Sequence, residues 1–499
     1  MPRVALFRAD ASPAIGSGHL RRCLALAAEL ERDGWECVFA VGAETEATIP
    51  ELVADGWAVE RLLASAREHD DLVARRPGSV DLLVVDHYGR DVTFESKCRG
   101  WARRILVLDD LADRPHDADL LLDQTLGRRA ESYAGRVPGP CRLLLGSGFA
   151  LLRPEFAALR QSHAVRRAGP APANVTVSVG GTDPDNITAM IVEGIAASGL
   201  PLRTHIMIGG STPHLNGLRA LCAKHDMSLY VDHPNPAALL ADADLAIGAA
   251  GTSAWERCCL GVPTLLVVTA ENQRDNATAL AESGAALLLN GGTPSAEAVA
   301  QALRDVCSDR QALARMAAAA SRICDGLGAR RCVMELDPPL ARDGKPVRLR
   351  PARSDDGPIM LEWQGKPGAR RFAHNPEPPD PKSHFAWLEA KLADPYCVFN
   401  VVTHGDAPAG VLRFDRRDDG LSFQVSILID DARHGLGLGK AALALGRRLL
   451  PDVSLWAEVL PGNAASAALF RGAGYVPAAG HWLKSDPLAA AMPHRMSAS

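Results

Sequence analysis

A histidine follows two glycines near the start of the chain, in the sequence Gly16-Ser17-Gly18-His19. Gly16 and Gly18 would let the backbone turn tightly and come close to a ligand, and apolar residues at helical spacing predict a helix beginning near His19. The free N–H groups and positive dipole end of that helix favour an anion. Imidazole titrates near neutral pH, so His19 is a candidate general base beside a bound phosphate or sugar. The alternative is a helix-terminal histidine that bonds only to backbone.

Three later turns carry groups suited to a nucleotide. Each lies where a predicted strand gives way to a predicted helix, in SVGGTDPDN, GAAGTSAWERCCLGVP and ENQRDNA. The first turn could cradle a diphosphate, a carboxylate at the second could accept both ribose hydroxyls, and the third adds side-chain amides. The candidate binding residues are Gly180, Gly181, Thr182, Gly251, Thr252, Glu256, Asn272 and Gln273. Each feature is weak alone, because such turns are common, but their order favours a nucleotide site.

A further glycine-rich loop lies in ARHGLGLGKAALALGRRLL, in the last part of the chain. It follows the predicted strand FQVSILID and runs into an amphipathic helix whose N-terminus suits a pyrophosphate. Further on, LWAEVLPGNAASAALFRGAGYV predicts a strand and then a helix opened by Asn463. Taken alone, the glycine loop could also bind another nucleotide or form a tight turn.

The strands and helices that position these groups are predicted from apolar runs that alternate with amphipathic stretches. Strand, helix and strand in succession form βαβ units and parallel sheets, from RVALFRAD to ADLLLDQT and again from VTVSVGGTDPDN to an alanine-rich helix around 311–323. In such sheets, ligands bind at the carboxyl ends of the strands, where His19 falls. The sequence therefore predicts an α/β fold with two Rossmann-like, doubly wound domains.

Stretches rich in proline, glycine and alanine predict linkers, AVRRAGPAPAN at 164–174 and LDPPLARDGKPVR from about 336. Antiparallel-looking strands mixed with helices follow the second linker, which is typical of an α+β domain. We therefore predict domains at residues 1–163, 174–335 and 347–490. A length of 499 residues agrees with three domains of roughly 150 residues each.

Composition narrows the class of protein. A net charge of −5 without a long basic block argues against nucleic-acid and membrane partners. Eleven scattered cysteines without a CxxC pair indicate a reduced, cytoplasmic chain. No apolar run suits a signal peptide or a membrane span. Because no HExxH motif or carboxylate cluster occurs, we predict no metal.

The order GGT, GTSAWERCCLGVP and NQRDNA resembles the nucleotide-binding half of GT-B glycosyltransferases related to the enzyme that adds N-acetylglucosamine to the cell-wall lipid precursor. More closely, FRADASPAIGSGHLRRCLALA with VVDHYG and GGTDPDN resembles the UDP-2,4-diacetamido-2,4,6-trideoxy-β-L-altropyranose hydrolases of pseudaminic acid synthesis, over about residues 1–335. The resemblance implies a GT-B fold and water attack at the anomeric carbon with inversion, with His19 as base. The other residues it assigns to the cleft and the UDP-sugar are Asp86, His87, Tyr88, Gly181, Glu256 and Asn272. A strand-end aspartate often only caps the next helix, so direct catalysis by Asp86 or His87 stays open.

The two motifs of the last domain resemble the GNAT acyltransferases over about residues 347–487. In that family the glycine loop holds the pyrophosphate of acetyl-CoA between two splayed strands. The acetyl-CoA-binding residues that the resemblance implies are Ile429, His434, Gly435, Gly437, Gly439, Lys440 and Asn463. His434 departs from the first position of the usual Arg/Gln-x-x-Gly-x-Gly pattern, although Arg433 is adjacent. We expect acetyl-CoA binding to survive, because backbone groups make most of the pyrophosphate bonds.

Phe470 is a second departure from the GNAT pattern. Many relatives have a tyrosine at this position that protonates the departing CoA sulfur, whereas phenylalanine cannot donate a proton. A thiol with a pKa of roughly 8 to 9 is nevertheless a tolerable leaving group. Glu458 is a candidate acceptor for the proton of the amine, and a solvent-facing strand residue is the alternative.

Together the resemblances predict a bifunctional enzyme that uses acetyl-CoA to acetylate the 4-amino group of a UDP-linked sugar and then removes UDP. UDP-amino sugars are the expected substrates, and other enzymes of nonulosonic acid synthesis are candidate partners. The alternatives are a GT-B glycosyltransferase that passes the sugar to an acceptor, and a GNAT-like segment that serves only as an accessory or regulatory module.

Overall fold

The computed structural model describes residues 2–62, 67–162, 173–289 and 295–488. The chain divides into two compact units, and the division follows Ala329. Residues 163–172, which make up most of the predicted first linker, lie outside the described residues, as does the end of the predicted third domain after residue 488. The three predicted domain ranges stay predictions.

The first half of unit one is built on a parallel sheet. Its strands are β1 (Arg3–Ala9), β2 (Trp35–Val41), β3 (Ala58–Arg61), β4 (Leu82–Asp86), β5 (Ile105–Leu108), β6 (Leu120–Asp123) and β7 (Arg142–Leu145). Its helices are α1 (Gly18–Arg32), α2 (Thr45–Thr48), α3 (Glu51–Ala54), α4 (Glu68–Arg75), α5 (Val92–Cys98) and α6 (Pro154–Ser162). The strands lie in the order β3-β2-β1-β4-β5-β6-β7. Every residue of β4 is buried, as expected of a central strand in a parallel sheet.

The second half of unit one repeats this plan. Its strands are β8 (Asn174–Ser178), β9 (Arg203–Ile208), β10 (Ser228–Val231), β11 (Leu245–Ala249), β12 (Thr264–Val267) and β13 (Ala286–Leu288). Its helices are α7 (Ile187–Ser198), α8 (Leu215–Lys224), α9 (Pro236–Ala241), α10 (Thr252–Cys259), α11 (Arg274–Glu282), α12 (Ala296–Ser308), α13 (Arg310–Ile323) and α14 (Gly328–Leu336), which continues past the division. The parallel strands lie in the order β10-β9-β8-β11-β12-β13. Two Rossmann-like sheets in succession confirm the predicted GT-B class.

Each sheet of unit one has one point at which the strand order reverses, between β1 and β4 and between β8 and β11. Loops that leave the two strands in opposite directions open a crevice there, and ligands of doubly wound sheets bind in it. His19 follows β1 and Asp86 ends β4. Gly180 follows β8 and Gly251 follows β11. The predicted site residues therefore lie at the two positions where this topology binds ligands.

Unit two contains a mixed sheet. Its strands are β14 (Val347–Pro351), β15 (Cys397–His404), β16 (Ala407–Arg416), β17 (Ser422–Ile429), β18 (Ser454–Glu458), β19 (Val476–Pro477) and β20 (Trp482–Ser485). Its helices are α15 (Gly357–Gly365), α16 (Pro381–Ala393), α17 (Leu438–Leu449) and α18 (Ala464–Gly472). The strand order is β14-β15-β16-β17-β18-β20-β19, and the neighbouring strands are antiparallel except for β17 and β18. The predicted α+β class of this domain is confirmed.

Strands β17 and β18 separate after a short parallel contact. They pair only where 422–424 faces 454–456. Beyond that point β17 continues to Ile429 along β16, and β18 continues to Glu458 along β20. Unpaired edges of two diverging strands leave a wedge between them, which matches the expected splay.

The predicted second linker contains a hairpin. Residues 339–347 form a tight hairpin in which the Ala341 N–H donates to the Lys345 carbonyl and the Val347 N–H to the Pro339 carbonyl, both at 2.8 Å. Gly344 has a φ of 83°, which favours glycine in the turn. Proline and glycine here build a turn rather than an extended tether.

No helix in the described parts of the chain is both long enough and apolar enough to cross a membrane.

Candidate active sites

His19, in the first turn of α1, contacts the carboxylate at the end of β4. Its Nδ1 lies 2.5 Å from Asp86 Oδ1. Arg22, three residues further along the same helix face, binds both oxygens of Asp86, with Nε 2.6 Å from Oδ2 and Nη2 2.7 Å from Oδ1. All three residues are buried. One carboxylate therefore holds an imidazole and a guanidinium in the crevice of the first sheet.

The ionised form of Asp86 is strongly favoured. Burial alone would raise the pKa of this carboxyl, but the charge of Arg22 and the contacts with His19 outweigh burial and hold the pKa well below its usual range. An ionised carboxylate only accepts hydrogen bonds, so Nδ1 of His19 carries the proton that is donated to Asp86. In a neutral imidazole with its proton on Nδ1, Nε2 carries the lone pair. A histidine oriented by a carboxylate in this way is a candidate general base.

Tyr88 connects this group to the second half of unit one. Its ring lies edge-on to the His19 ring, with centroids 4.5 Å apart. The Tyr88 hydroxyl accepts a hydrogen bond from Asn272 Nδ2 at 2.7 Å and donates to Asp110 Oδ2 at 3.3 Å. Burial, followed by the negative charge of Asp110, raises the pKa of Tyr88, so the hydroxyl stays protonated. The structure thus brings four predicted residues into one group: His19, Asp86, Tyr88 and Asn272.

The glycine turns of the two halves face each other across the crevice. A β-carbon at Gly18 would lie 3.9 Å from Thr252 Oγ1, and one at Gly181 would lie 3.3 Å from Ser17 Oγ. A side chain at either glycine would narrow the space between the turns. A β-carbon at Gly181 would crowd the Ser17 hydroxyl, whereas one at Gly18 would make an ordinary contact with the Thr252 hydroxyl.

The other predicted residues of these turns are Gly16, Gly180, Thr182, Gly251 and Gln273. Gly16 and Gly180 have φ of 76° and 129°, which other residues rarely adopt. Thr182 is buried. A β-carbon at Gly251 would lie 3.5 Å from Gln273 Nε2, which places the amide of Gln273 beside the turn before α10.

Two buried side chains fix the backbone before α10. Arg257 Nη2 donates to the Ala249 carbonyl at 2.5 Å, and Asn276 Nδ2 donates to the Ala250 carbonyl at 2.7 Å. The N–H of a trans peptide points away from its C=O, so holding two carbonyls turns the next two N–H groups to the opposite side. Sequence reasoning did not select these residues.

Glu256, the predicted ribose acceptor, is half-buried in α10 among cationic side chains. Burial raises its pKa, while the charges of Arg153, Arg257 and Arg21 act in the opposite direction. Burial outweighs these charges, so the pKa of Glu256 lies above its usual value.

His87 does not join His19. Its Nδ1 accepts a hydrogen bond from the Gly89 N–H at 2.8 Å, and its Nε2 lies 3.2 Å from Asp10 Oδ2. Asp10 also binds Arg8, with Nη2 2.8 Å from Oδ2. His87 therefore belongs to a neighbouring ion-pair group. The structure separates it from Asp86, which contacts the candidate base directly.

Arg22 and Asp110 are site residues that sequence reasoning missed. Arg22 Nη1 lies 3.0 Å from Asp110 Oδ2, which extends the ion-pair group. The available signal was the three-residue spacing between His19 and Arg22 on a predicted helix, which puts both on one face.

The glycine loop of unit two leads from β17 into α17. Gly435 and Gly437 have φ of 82° and 83°, a conformation that exposes successive N–H groups on one side. His434 Nε2 donates to the Ile429 carbonyl at 3.1 Å, which closes the loop onto the end of β17. Lys440 is exposed in the first turn of α17. The loop has the form expected of a pyrophosphate site.

Two predicted cofactor residues have structural contacts. A β-carbon at Gly439 would lie 3.1 Å from Leu469 Cδ2, so this glycine lets α17 and α18 pack closely. Asn463 Oδ1 accepts a hydrogen bond from the Ser466 N–H and caps α18. Their role in binding acetyl-CoA stays a prediction.

Glu458 has a partner that the sequence did not indicate. His374, from the segment between α15 and α16, places Nε2 3.0 Å from Glu458 Oε2. Alternate residues of a strand share a face, so Trp456 lies on the same face of β18. The Arg417 guanidinium lies 4.8 Å and 4.6 Å from the ring centroids of Trp456 and Trp482. An acid–histidine pair and an aromatic surface thus share one side of the sheet.

Within the described ranges, no group of three or more His, Cys, Asp or Glu side chains is placed to hold a metal ion.

Comparisons with known proteins agree with this architecture. Residues 347–476 match the acetyltransferase (GNAT) domain. Unit two carries a GNAT domain. Residues 179–327 match the glycosyltransferase family 28 C-terminal domain, which lies in the second half of unit one. GNAT domains use an acetyl-CoA-binding fold, and the splayed strands and glycine loop of unit two fit that use.

Unit one is similar to sugar-nucleotide enzymes. Over 283 residues the chain is 29% identical to the UDP-2,4-diacetamido-2,4,6-trideoxy-β-L-altropyranose hydrolase of Campylobacter jejuni, covering 56% of this chain and 96% of that protein. It is 27% identical to the spore coat polysaccharide biosynthesis protein SpsG of Bacillus subtilis, covering 57% and 83%. The structure of MurG from Acinetobacter baumannii aligns at 17% identity with a TM-score of 0.47, covering 67% and 99%. The predicted resemblances are confirmed.

The Asp86 group allows a matched test on two adjacent arginines. The Arg22 side chain is 5% exposed and binds an Asp86 side chain that is 0% exposed, whereas the Arg21 side chain is 46% exposed. Arg22→Met should lower the free energy of unfolding at pH 7 by about 3 to 5 kcal/mol, because it removes the guanidinium that binds both oxygens of a buried carboxylate. Arg21→Met should change it by about 1 kcal/mol or less. Urea unfolding of both variants measures the difference.

The ion pair between Asp86 and Arg22 also predicts how the free energy of unfolding depends on pH. Because the pKa of Asp86 is depressed in the folded protein, its stabilising contribution is present above its unfolded pKa of roughly 4 and is lost as the pH falls. The deficit of Arg22→Met should therefore shrink below about pH 4. Equal stability of the two variants at pH 7 would contradict this account of the site.

Proposed function

We propose that the chain is a bifunctional nucleotide-sugar enzyme of pseudaminic (nonulosonic) acid biosynthesis. Unit one releases UDP from a UDP-2,4-diacetamido-2,4,6-trideoxy sugar by hydrolysis. Unit two uses acetyl-CoA to acetylate the 4-amino group of a UDP-4-amino-4,6-dideoxy sugar. The observation that carries the first activity is the contact between His19 and Asp86 beside facing glycine turns. Similarity to the Campylobacter jejuni hydrolase supports the substrate.

His19 activates the water in this mechanism. The oxygen of water attacks the anomeric carbon, and its proton passes to Nε2 of His19. The bond between that carbon and the β-phosphate oxygen breaks, and its electron pair leaves with UDP, so the sugar is released with inverted configuration. Asp86 holds Nδ1–H of His19 and stabilises the imidazolium that forms. UDP is a good leaving group, so the protein mainly holds it and orients one water.

The turns of the second half bind UDP in this proposal. N–H groups near Gly181 and at the start of α10 face the diphosphate, and Glu256 accepts the ribose hydroxyls. Tyr88 and Asn272 join across the crevice beside His19, and in this proposal the sugar lies next to this pair. The match to the glycosyltransferase family 28 C-terminal domain supports a UDP-sugar at this position.

Acetyl transfer in unit two requires a neutral amine. The amine nitrogen attacks the thioester carbonyl, a C–N bond forms, and the C–S bond breaks with its electron pair on the CoA sulfur. Glu458, paired with His374, takes the proton of the amine. Phe470 is buried against Tyr475, with ring centroids 5.0 Å apart, and offers no proton to the sulfur, so the thiolate leaves and water protonates it.

The two reactions are consecutive in this proposal, because acetylation makes the diacetamido sugar that the hydrolase uses. All eleven cysteines are free thiols, which fits the reducing cytoplasm where we place both reactions. A glycosyltransferase that passes the sugar to an acceptor is the second candidate, and the family 28 match favours it. Mass spectrometry of products formed from the UDP-sugar without an acceptor separates the two: free sugar and UDP indicate hydrolysis.

Loss of His19 should slow UDP release without affecting acetyl transfer. His19→Gln should slow UDP release by about 100-fold or more, the usual contribution of a general base. Acetyl transfer by the same protein should be unchanged, and this activity is the internal control for folding and concentration. Both rates are measured on one preparation, by UDP release and by CoA thiol release. Near-normal UDP release from folded His19→Gln would remove His19 from the mechanism.

Acetyl transfer gives a second test, with Glu389 of α16 as the matched control because it is exposed on a helix. Glu458→Gln should lower the rate of acetyl transfer by about 100-fold, since an amide cannot accept the proton, whereas Glu389→Gln should not. The wild-type rate should rise with pH until the amine is neutral, without a descending limb, and Phe470→Tyr should change it only slightly. An inactive wild-type unit that Phe470→Tyr activates would contradict the proposal.

A further inference from the structure

The 339–347 hairpin lies directly on the glycine loop of unit two. The backbone N–H of Arg342 donates to the Leu436 carbonyl at 3.0 Å, and Arg342 Nη1 donates to the Gly435 carbonyl at 2.9 Å. One residue of the hairpin therefore binds two successive carbonyls of the loop. A β-carbon at Gly437 would lie 3.9 Å from Arg342 Cγ, so the side chain follows the loop closely.

These two bonds set the direction of the loop amides. In a trans peptide the N–H points away from the C=O. Because Arg342 holds the carbonyls of Gly435 and Leu436, the N–H groups of Leu436 and Gly437 point to the side opposite the hairpin. The positive φ of Gly435 and Gly437 is the conformation in which such N–H groups form an anion-binding concavity. α17 begins at the next residue and adds its own N-terminal N–H groups.

A second connection ties the hairpin to the start of the loop. Arg433 Nη1 lies 2.9 Å from His404 Nδ1, and His404 Nε2 lies 2.8 Å from Asp343 Oδ1. A guanidinium only donates, so Nδ1 of His404 accepts and Nε2–H donates to Asp343. His404 is buried, which makes this chain of bonds a fixed connection. Arg342 and Asp343 thus hold the loop at two places, the carbonyls of 435–436 and, through His404, the side chain of Arg433.

We propose that Arg342, in the 339–347 hairpin, is a positioning residue for the pyrophosphate of CoA. This inference rests on the proposed acetyl-CoA-dependent activity of unit two. Arg342 acts through the backbone of the loop: it aims the Leu436 and Gly437 amides and does not itself touch the pyrophosphate. Sequence outside the GNAT-matched residues 347–476 therefore contributes to binding of the cosubstrate.

Lys345 provides a matched control in the same hairpin, because it is 62% exposed and its charged group lies 3.8 Å from Asp343 rather than on the loop. In the full chain, titration calorimetry with CoA should give a Kd for Arg342→Met about 10-fold or more above wild type, as expected when hydrogen bonds from a charged donor are lost. Arg342→Lys should recover part of the affinity, and Lys345→Met should bind like wild type. The KM for acetyl-CoA should rise with little change in kcat or in the KM for the amine.

Hydrogen–deuterium exchange of wild-type protein tests the inference without a variant. CoA should slow exchange in peptides that cover 339–347 as well as in those that cover 433–440. Protection confined to 433–440, or a folded Arg342→Met with a Kd within about twofold of wild type, would overturn the inference while leaving the acetyltransferase intact. Failure of the wild type to bind CoA would instead overturn the proposed function of unit two.

Discussion

The buried carboxylate of Asp86 is the constraint on which the first site depends. It must be ionised to hold the proton on Nδ1 of His19, and it is ionised in a buried position only because Arg22 binds both of its oxygens. His19 and Arg22 lie one turn apart on α1, so both side chains reach Asp86 only when α1 packs on β4 in this register. The strand order of the first sheet places β4 beside β1 and so brings together residues that are 67 positions apart in sequence.

The other candidate binding surfaces consist of backbone amides whose direction is set by arginine side chains. Before α10, Arg257 holds the Ala249 carbonyl, and in unit two Arg342 holds the Gly435 carbonyl. In both places glycine allows a tight turn, and a guanidinium fixes one carbonyl of that turn. The N–H groups of the turn are therefore already oriented in the absence of a ligand. Preorganised dipoles of this kind need no rearrangement when charge is bound or develops. The same physical solution would thus serve a UDP diphosphate in one unit and a CoA pyrophosphate in the other.

The fold could be predicted largely from the sequence, because buried parallel strands such as β4 and β11 are continuous apolar runs separated by helical patterns. His19 and the glycine turns could be selected because glycine at a strand-to-helix junction is a local signal. Arg22 could have been selected from its three-residue spacing to His19, but Asp110 could not, since it acts through a contact made only in the folded sheet. The 339–347 hairpin was predicted as a linker for a similar reason: proline and glycine suit a tether and a tight turn equally, and only the bonds to Gly435 and Leu436 distinguish them.

The central claim is that water attacks carbon at the site of His19, and the fate of isotopic oxygen tests it most directly. Wild-type protein is incubated with the UDP-diacetamido sugar in ¹⁸O-labelled water, and both products are analysed by mass spectrometry at short times. Unlabelled free sugar in the same water corrects for exchange at the anomeric position. The account predicts ¹⁸O in the sugar and none in UDP. Label in UDP would mean attack on phosphorus and would contradict the role given to His19 and Asp86.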